Sequence, residues 1–370
     1  MKFFNSNLID NPFYTNSEGP WLFDIEERAV FDTWLGAGTL ILGHSNEDQG
    51  FPIKMLPEGV KISNKQEVLV EKLVDFKVGG LGFQTSGSSA VTRAIRLARA
   101  ITEKEKIIVI GGFWHGSEDE LLFRGNKEVL SSGVPKLFQN NIIWFDRLEV
   151  ALQNLDPIST AAVIIEPHQG SDPSKNILAG LTEERRNYLH ANNILLICDE
   201  IINGFREQYG SCAASRAVSP DIVVLGKSIA RGLPIGLVII SERALNPNKK
   251  LPFWGGTFSA SPIQMRYMFD TLEKLSNLDY KDIQNNLFKI ISRLSNYSQE
   301  FGLQITTGCN FARIKRKSTS NARAFVEQDQ AFEEFRQTLL KKSIYIANNG
   351  LVFPSIFDIN RELPDSQGAP

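Results

Sequence analysis

Short runs of aliphatic and β-branched residues recur through the middle of the chain. They are separated by stretches whose apolar residues return every three or four positions. The runs are Lys106 to Ile110, Ala161 to Ile165, Ile194 to Asp199, Ile222 to Leu225 and Leu237 to Ile240. Continuous apolar character is what a strand buried on both faces requires. Between them, Ser89 to Thr102 and Thr182 to Ala191 read as helices, the second opened by a capping threonine ahead of Glu183 and Glu184. This alternation predicts an α/β fold with a mainly parallel sheet covered by helices. From about Pro262 the pattern changes. A helix through Met265 to Leu275 leads into a polar, charge-rich stretch, then Gln304-Ile305-Thr306 and a basic stretch from Arg313 to Lys317. A smaller α+β domain is expected there, with a loose tail from about Arg361 to Pro370. The expected division is an N-terminal segment, 1–48, packing with the small domain, a large domain over 49–275 and a small domain over 276–370.

Composition narrows the function classes. A chain of 370 residues suits two domains better than one small core. Forty basic against 42 acidic residues leave a net charge of -2, with no basic excess to suggest a nucleic-acid surface. Cys198, Cys212 and Cys309 are an odd count at unrelated spacings, so they read as reduced thiols with no metal framework. Met1 to Asn7 has no signal-peptide apolar core, and no stretch approaches ~20 uninterrupted apolar residues. The chain is read as soluble, cytoplasmic and without a membrane contact.

Two of the predicted strands end in charge. Ile194 to Glu200 closes on Asp199, and Pro220 to Lys227 closes on Lys227 with Gly232-Leu233-Pro234-Ile235-Gly236 just beyond. A buried carboxylate and lysine are costly without a use. A salt bridge across a core is one reading. The other is pyridoxal phosphate, which forms a Schiff base with a lysine amine and needs a carboxylate to keep its pyridine nitrogen protonated. Ser86-Gly87-Ser88-Ser89 runs directly into a helix, which suits either an ordinary serine cap or a phosphate cup at the positive end of a helix dipole. Gly111 to Gly116 follows a strand, where ligands of α/β sheets bind. Trp114 could stack on a flat cofactor and His115 orient it, although core packing and a surface histidine fit as well. Glu166, in Glu166-Pro167-His168-Gln169-Gly170-Ser171, is a loop anchor or a pocket carboxylate, and Ser171 a possible donor to the cofactor's phenolate oxygen. Gly255-Gly256-Thr257-Phe258-Ser259 is a second glycine-rich turn ahead of a helix.

Taken in order, Ser86-Gly87-Ser88, Phe113-Trp114-His115-Gly116, Glu166-Pro167, Asp199 to Arg206, Gly226-Lys227 and Gly256-Thr257-Phe258-Ser259 resemble the class III aminotransferases. Within that family the series is most similar to the glutamate-1-semialdehyde aminomutase branch, from about Leu22 to Phe357. The resemblance implies fold type I, with a seven-stranded, mainly parallel sheet in the large domain, and a homodimer with shared active sites. It also implies Lys227 as the Schiff-base lysine and Asp199 as the partner of the pyridinium nitrogen. Ile201 would pack on one ring face and Trp114, where the family usually has tyrosine, on the other. Gly87 and Ser88 would hold the phosphate, with Thr257 contributing from the partner.

The departures concern the substrate. Ser171 stands where the aminomutase branch has asparagine, and Ala37 where it usually has a substrate-facing tryptophan. Asn5 to Pro20 has no counterpart of the segment that supplies the branch's carboxylate-binding arginine. Asp358 falls where the branch has a gating glutamate. The expectation is therefore an aminotransferase acting on a small-molecule amino donor and an oxo acceptor. An aminomutase is the nearest alternative, and a pyridoxal-phosphate-binding protein without turnover the more distant one.

Overall fold

A computed structural model describes residues 14–24, 26–44, 63–111, 114–124, 128–215, 219–245, 251–316 and 330–357. An N-terminal ribbon of β1 (Tyr14–Glu18), β2 (Trp21–Asp24) and β3 (Ala29–Asp32) precedes helix α1 (Asn64–Glu71). The central strands follow as β4 (Val78–Gln84), β5 (Lys106–Ile110), β6 (Ile142–Phe145), β7 (Thr160–Ile165), β8 (Leu195–Asp199), β9 (Ile222–Gly226) and β10 (Gly236–Ser241). Among them run α2 (Gly87–Thr102), α3 (Leu148–Asn154) and α4 (Glu183–Ala191). The C-terminal part holds α5 (Pro262–Ser276), α6 (Tyr280–Glu300), β11 (Leu303–Gly308), β12 (Phe311–Arg316), α7 (Gln330–Leu340), β13 (Ile344–Tyr345) and β14 (Leu351–Val352). Strand β13 pairs in parallel with β3 through Ile344 and Phe31, so the two ends of the chain share one sheet.

The central sheet has the order β4-β10-β9-β8-β7-β5-β6. Strands β9, β8, β7, β5 and β6 are mutually parallel, while β10 is antiparallel to both β9 and β4. The apolar run at β10 thus belongs to the sheet but runs against it, a direction that periodicity cannot reveal. Both faces are covered, as the continuous apolar runs require. Ile108, Val163, Leu196, Val223 and Leu225 face one core; Ile107, Val109, Ile164, Ile197 and Val224 face the other, packed under α2. Helix α2 buries Val91, Ala94, Ile95 and Ala98 completely, the three-to-four spacing that holds one face on the sheet. Among the described residues no helix is long and apolar enough to cross a membrane.

Strand β4 carries Gly79, Gly80 and Gly82, a composition that argues against a strand. Its glycines are explained by packing. A Cβ on Gly82 would lie 1.9 Å from Cζ2 of Trp254, so the indole occupies the place of a side chain on this edge strand. Gly82→Ala should therefore expel the indole and destabilise the fold by roughly 1–3 kcal/mol, the usual cost of overpacking. Urea unfolding measures it; a change below about 0.5 kcal/mol would show that the indole yields freely.

Candidate active site

Because β10 alone is reversed, β4 again runs with the parallel set, and its C-terminal end reaches the same rim. Gly236 of β10 pairs with Gly226 on one side and Gln84 on the other, which brings Lys227 and Ser86 to neighbouring positions. Asp199 pairs with Val224, and Cys198 with Ile165, so Glu166 emerges beside Asp199. Ile110 pairs with Ile165, which delivers the loop bearing His115 to the same place. The rim gathers residues far apart in sequence at the strand ends where α/β sheets bind ligands.

Asp199 is buried, and its Oδ2 lies 2.7 Å from Nδ1 of His115, itself buried. Its Oδ1 accepts the Ile201 N–H at 3.2 Å, so the carboxylate is held at both oxygens. Burial pulls the His115 imidazole down, yet the bond to Asp199, its charge and that of Glu166 outweigh burial and leave the ring above its ordinary range. His115 is thus neither a surface histidine nor a group placed only by its loop. It holds the Asp199 carboxylate through Nδ1, and its Nε2 has no hydrogen-bond partner among the described residues. Glu166 is buried too, and burial raises its carboxyl to about 7 against the lowering pull of His115, the Gly170 N–H and Lys227. The neighbouring Glu200 faces away, anchoring the Cys212 N–H at 2.6 Å and the Ala213 N–H at 3.2 Å.

Lys227 is largely enclosed, and desolvation lowers its amine to about 8 although Asp199 and Glu166 pull it up. Its backbone lies in the left-handed region at φ 47°. The next residue, Ser228, donates its hydroxyl to the Gly38 carbonyl at 3.1 Å, and the same carbonyl accepts from Nη2 of the buried Arg206. Gly38 closes a turn in which Leu35, Gly36, Ala37 and Gly38 all have positive φ (46°, 58°, 61° and 78°). Such a backbone costs about 1–2 kcal/mol per non-glycine residue and persists only where surrounding contacts hold it. Ala37 therefore sits in a strained turn pressed against the segment that carries Lys227. The sequence motif contained Arg206, but nothing in the motif tied it to Gly38, more than 160 residues earlier.

At the start of α2, Ser86 caps the helix by accepting the Ser89 N–H at 3.1 Å, and Ser89 returns a bond to the Ser86 N–H. The Ser86 hydroxyl is committed to this cap, while the Gly87 and Ser88 N–H groups lie outside it at the positive end of the helix. A Cβ on Gly87 would lie 2.6 Å from Cδ1 of Ile201, and one on Gly116 would lie 2.8 Å from Ser88. These glycines let Ile201 and the His115 loop close onto the helix end. Ser88 accepts the Ser117 N–H at 3.2 Å.

The remaining predicted residues are placed as follows. Ser171 is buried beside Gly170 in the loop that begins at Glu166. Trp114 keeps 45% of its surface exposed, and Thr257 is exposed in the loop before α5. Asp358 lies outside the described residues. An amine shifted toward neutrality, a fixed buried carboxylate, a helix start with two uncapped N–H groups and glycines that admit a flat apolar wall fit pyridoxal phosphate. A plain salt bridge fits less well, because Asp199 already has His115 as its partner.

Comparison with known proteins agrees with this fit. The family model described as aminotransferase class-III matches residues 5–351. The glutamate-1-semialdehyde 2,1-aminomutase of Sulfurisphaera tokodaii is 34% identical over 306 residues, covering 76% of this chain and 71% of the relative. That of Sulfolobus acidocaldarius is 30% identical and covers 90% of this chain and 86% of the relative. Among solved structures, an omega-transaminase from Sphaerobacter thermophilus superposes with a TM-score of 0.75 at 22% identity, covering 94% of this chain and 87% of that one. A glutamate-1-semialdehyde aminomutase from Pseudomonas aeruginosa gives 0.73 at 20% identity, covering 93% and 83%. At such identity the two structures establish the fold alone.

The Glu166 carboxyl makes a testable demand on pH. Its folded value, about 7, lies above the ordinary 4.5, so its contribution to stability is complete below about pH 4.5 and is lost as the pH rises through 7. Each tenfold difference in proton affinity between folded and unfolded chain is worth about 1.4 kcal/mol, so the loss is on the order of 3 kcal/mol. Glu166→Gln should flatten this part of the stability–pH curve, measured by urea unfolding of the cofactor-free protein. An unchanged slope would assign the proton uptake to another group.

Proposed function

The chain belongs to the class III aminotransferases, pyridoxal-phosphate-dependent enzymes of fold type I close to the glutamate-1-semialdehyde aminomutase branch, and we propose that it moves an amino group from a small-molecule donor to an oxo or aldehyde acceptor. The observation that carries this reading is the rim constellation. Lys227 stands at one strand end with a lowered amine, beside a buried Asp199 whose geometry His115 fixes.

Pyridoxal phosphate, when bound, supplies an electron sink for the charge left on an amino-bearing carbon. Lys227 would hold the cofactor and, once displaced by an incoming amine, move the proton as a general base. A value of about 8 leaves a usable fraction of that amine deprotonated near neutral pH. Asp199 would keep a proton on the pyridine nitrogen, a preorganised charge in a site removed from water. The Gly87 and Ser88 N–H groups and the Ser88 hydroxyl would receive the phosphate, with Ile201 and Trp114 against the ring faces. Ser171 would donate to the ring's phenolate oxygen. Thr257 would complete the phosphate site of a second copy, which makes the working unit a homodimer. Glu166 would lie on the inner wall of the site, and Ala37 on the substrate side.

The curated relatives are named aminomutases, and that reading remains the second one. Two features of this chain favour transfer between separate substrates. Ala37 stands where the branch places a tryptophan wall, and Asn5 to Pro20 holds no arginine to clamp a substrate carboxylate.

The test is a product assay on the cofactor-loaded protein. We expect an external amino acid such as glutamate to yield its oxo acid, with glutamate 1-semialdehyde a poor substrate beside larger amino or oxo compounds. Conversion of glutamate 1-semialdehyde to 5-aminolevulinate at a kcat/KM near ~10⁵ M⁻¹s⁻¹ would restore the aminomutase. In the same assay Asp199→Ala should keep the cofactor and lose at least ~100-fold in rate; near wild-type turnover would remove Asp199 from the mechanism.

The shared site is tested by mixing two inactive variants, Lys227→Ala and Thr257→Val, with subunit exchange verified. Both lesions fall in one site of the mixed dimer, so partial recovery of activity is expected. No recovery would place Thr257 within its own chain's site or outside any.

A further inference from the structure

The basic stretch from Arg313 to Lys317 has no part in the reading above, and its first members are not surface charge. They lie on β12, where residues alternate between two cores. Phe311 packs into the core beneath the central sheet, while Ala312 and Ile314 pack into the core formed with α6 and α7. Arg313 and Lys315 share the face of Phe311, and both are buried, Arg313 completely. Only Arg316 turns outward among the described members of the stretch.

Their side chains meet the loop that follows Glu166. Arg313 donates through Nη1 to the Gly170 carbonyl at 3.2 Å. Lys315 reaches Oδ2 of Asp172 at 2.8 Å, in a pair of which both members are largely buried. On the other side of the loop Glu166 accepts the Gly170 N–H, so both backbone polar groups of Gly170 are held. Asp172 is held a second time, by the Ser174 hydroxyl at 2.6 Å. Between these two residues stands Ser171, buried to 1% exposure.

From this bracketing we propose that Arg313 and Lys315 are positioning residues, a two-cation clamp by which strand β12 fixes Ser171 where it meets the cofactor's phenolate oxygen. The inference rests on the reading of Ser171 given above. Its physical basis is that a serine side chain is short, so the placement of its hydroxyl depends on the backbone that carries it. Burying two cations against that backbone is costly, and the charge-assisted pair of Lys315 with Asp172, at 2.8 Å, is short and strong in so poorly solvated a place. Burial draws the Arg313 guanidinium down to about 10 against the pull of Glu166 and Asp172, which leaves it charged at any working pH. The clamp also links the C-terminal sheet to the loop that follows Glu166.

The experiment titrates cofactor-free protein with pyridoxal phosphate, reading affinity by fluorescence quenching and the pH midpoint of the visible band. Lys315→Met keeps the length of the side chain and removes the charge; Lys315→Arg restores it. Lys315→Met should weaken cofactor binding about fivefold, the scale of one hydrogen bond, and shift the band midpoint. Lys315→Arg should recover most of both, and Lys315→Met should add nothing in a Ser171→Ala background. Asp172→Asn, which attacks the same pair from the loop side, should reproduce the effect if Lys315→Met proves too unstable to titrate. Wild-type affinity and midpoint in a variant that merely melts earlier would overturn the clamp, as would full additivity with Ser171→Ala. If Ser171→Ala alone is silent while Lys315→Met is not, the reading of Ser171 fails and the proposed target with it. If the wild-type protein binds no pyridoxal phosphate, the reading of the whole site fails first.

Discussion

A carboxylate taken out of water must be balanced where it lies, and at this rim the balance for Asp199 is the His115 imidazole at 2.7 Å. Much of the site follows from that pair. The loop after β5 must turn back over the start of α2 to bring His115 down, and it can because Gly116 rests on Ser88 where a side chain would collide. With His115 engaged to Asp199, the Lys227 amine is not consumed in a salt bridge. Its value then reflects burial more than attraction, and it falls toward the range in which an amine can both bind and release a proton.

Part of the backbone strain in the structure lies next to the same lysine. Lys227 opens a short 3₁₀ turn and Arg231 closes it, both with left-handed backbones, and the Leu35 to Gly38 turn packs against it with four left-handed residues in succession. These conformations are maintained by the Gly38 carbonyl, which takes bonds from Ser228 and Arg206, and by Phe353, whose ring lies 4.8 Å from the Arg206 guanidinium. Gly38 itself cannot carry a side chain, since a Cβ would lie 2.4 Å from Nη2 of Arg206. The fold thus spends packing and hydrogen bonding from the C-terminal half to hold the lysine in an unfavourable conformation, which persists only because the surrounding contacts over-determine it.

Close approach through glycine recurs as the means of assembly. Gly87 admits Ile201, Gly82 admits Trp254, and Gly236 brings the Ser86 carbonyl to within 2.4 Å of where its own Cβ would be. Each contact joins segments distant in the chain, and each would be lost to a single methyl group. These parts meet in close packing, backbone against side chain, as in protein interiors.

The sequence by itself determined the alternation of strand and helix, the two-sided burial of the sheet and the rim positions of Lys227, Asp199 and the Ser86-Gly87-Ser88 turn. These depend on local periodicity and on which residue ends each run, and both are written along the chain. The family resemblance was legible for the same reason, since its motifs are strand ends and turns. Tertiary structure alone decided the rest. The reversal of β10, the glycine-rich strand β4, the engagement of His115 with Asp199, the bond from Arg206 to Gly38 and the burial of Arg313 and Lys315 each depend on contacts between residues tens to hundreds of positions apart. A basic run and a triple-glycine stretch look like surface and loop in one dimension. Only the packing of one sheet edge against an indole, and of β12 against the loop at Gly170, turns them into interior parts.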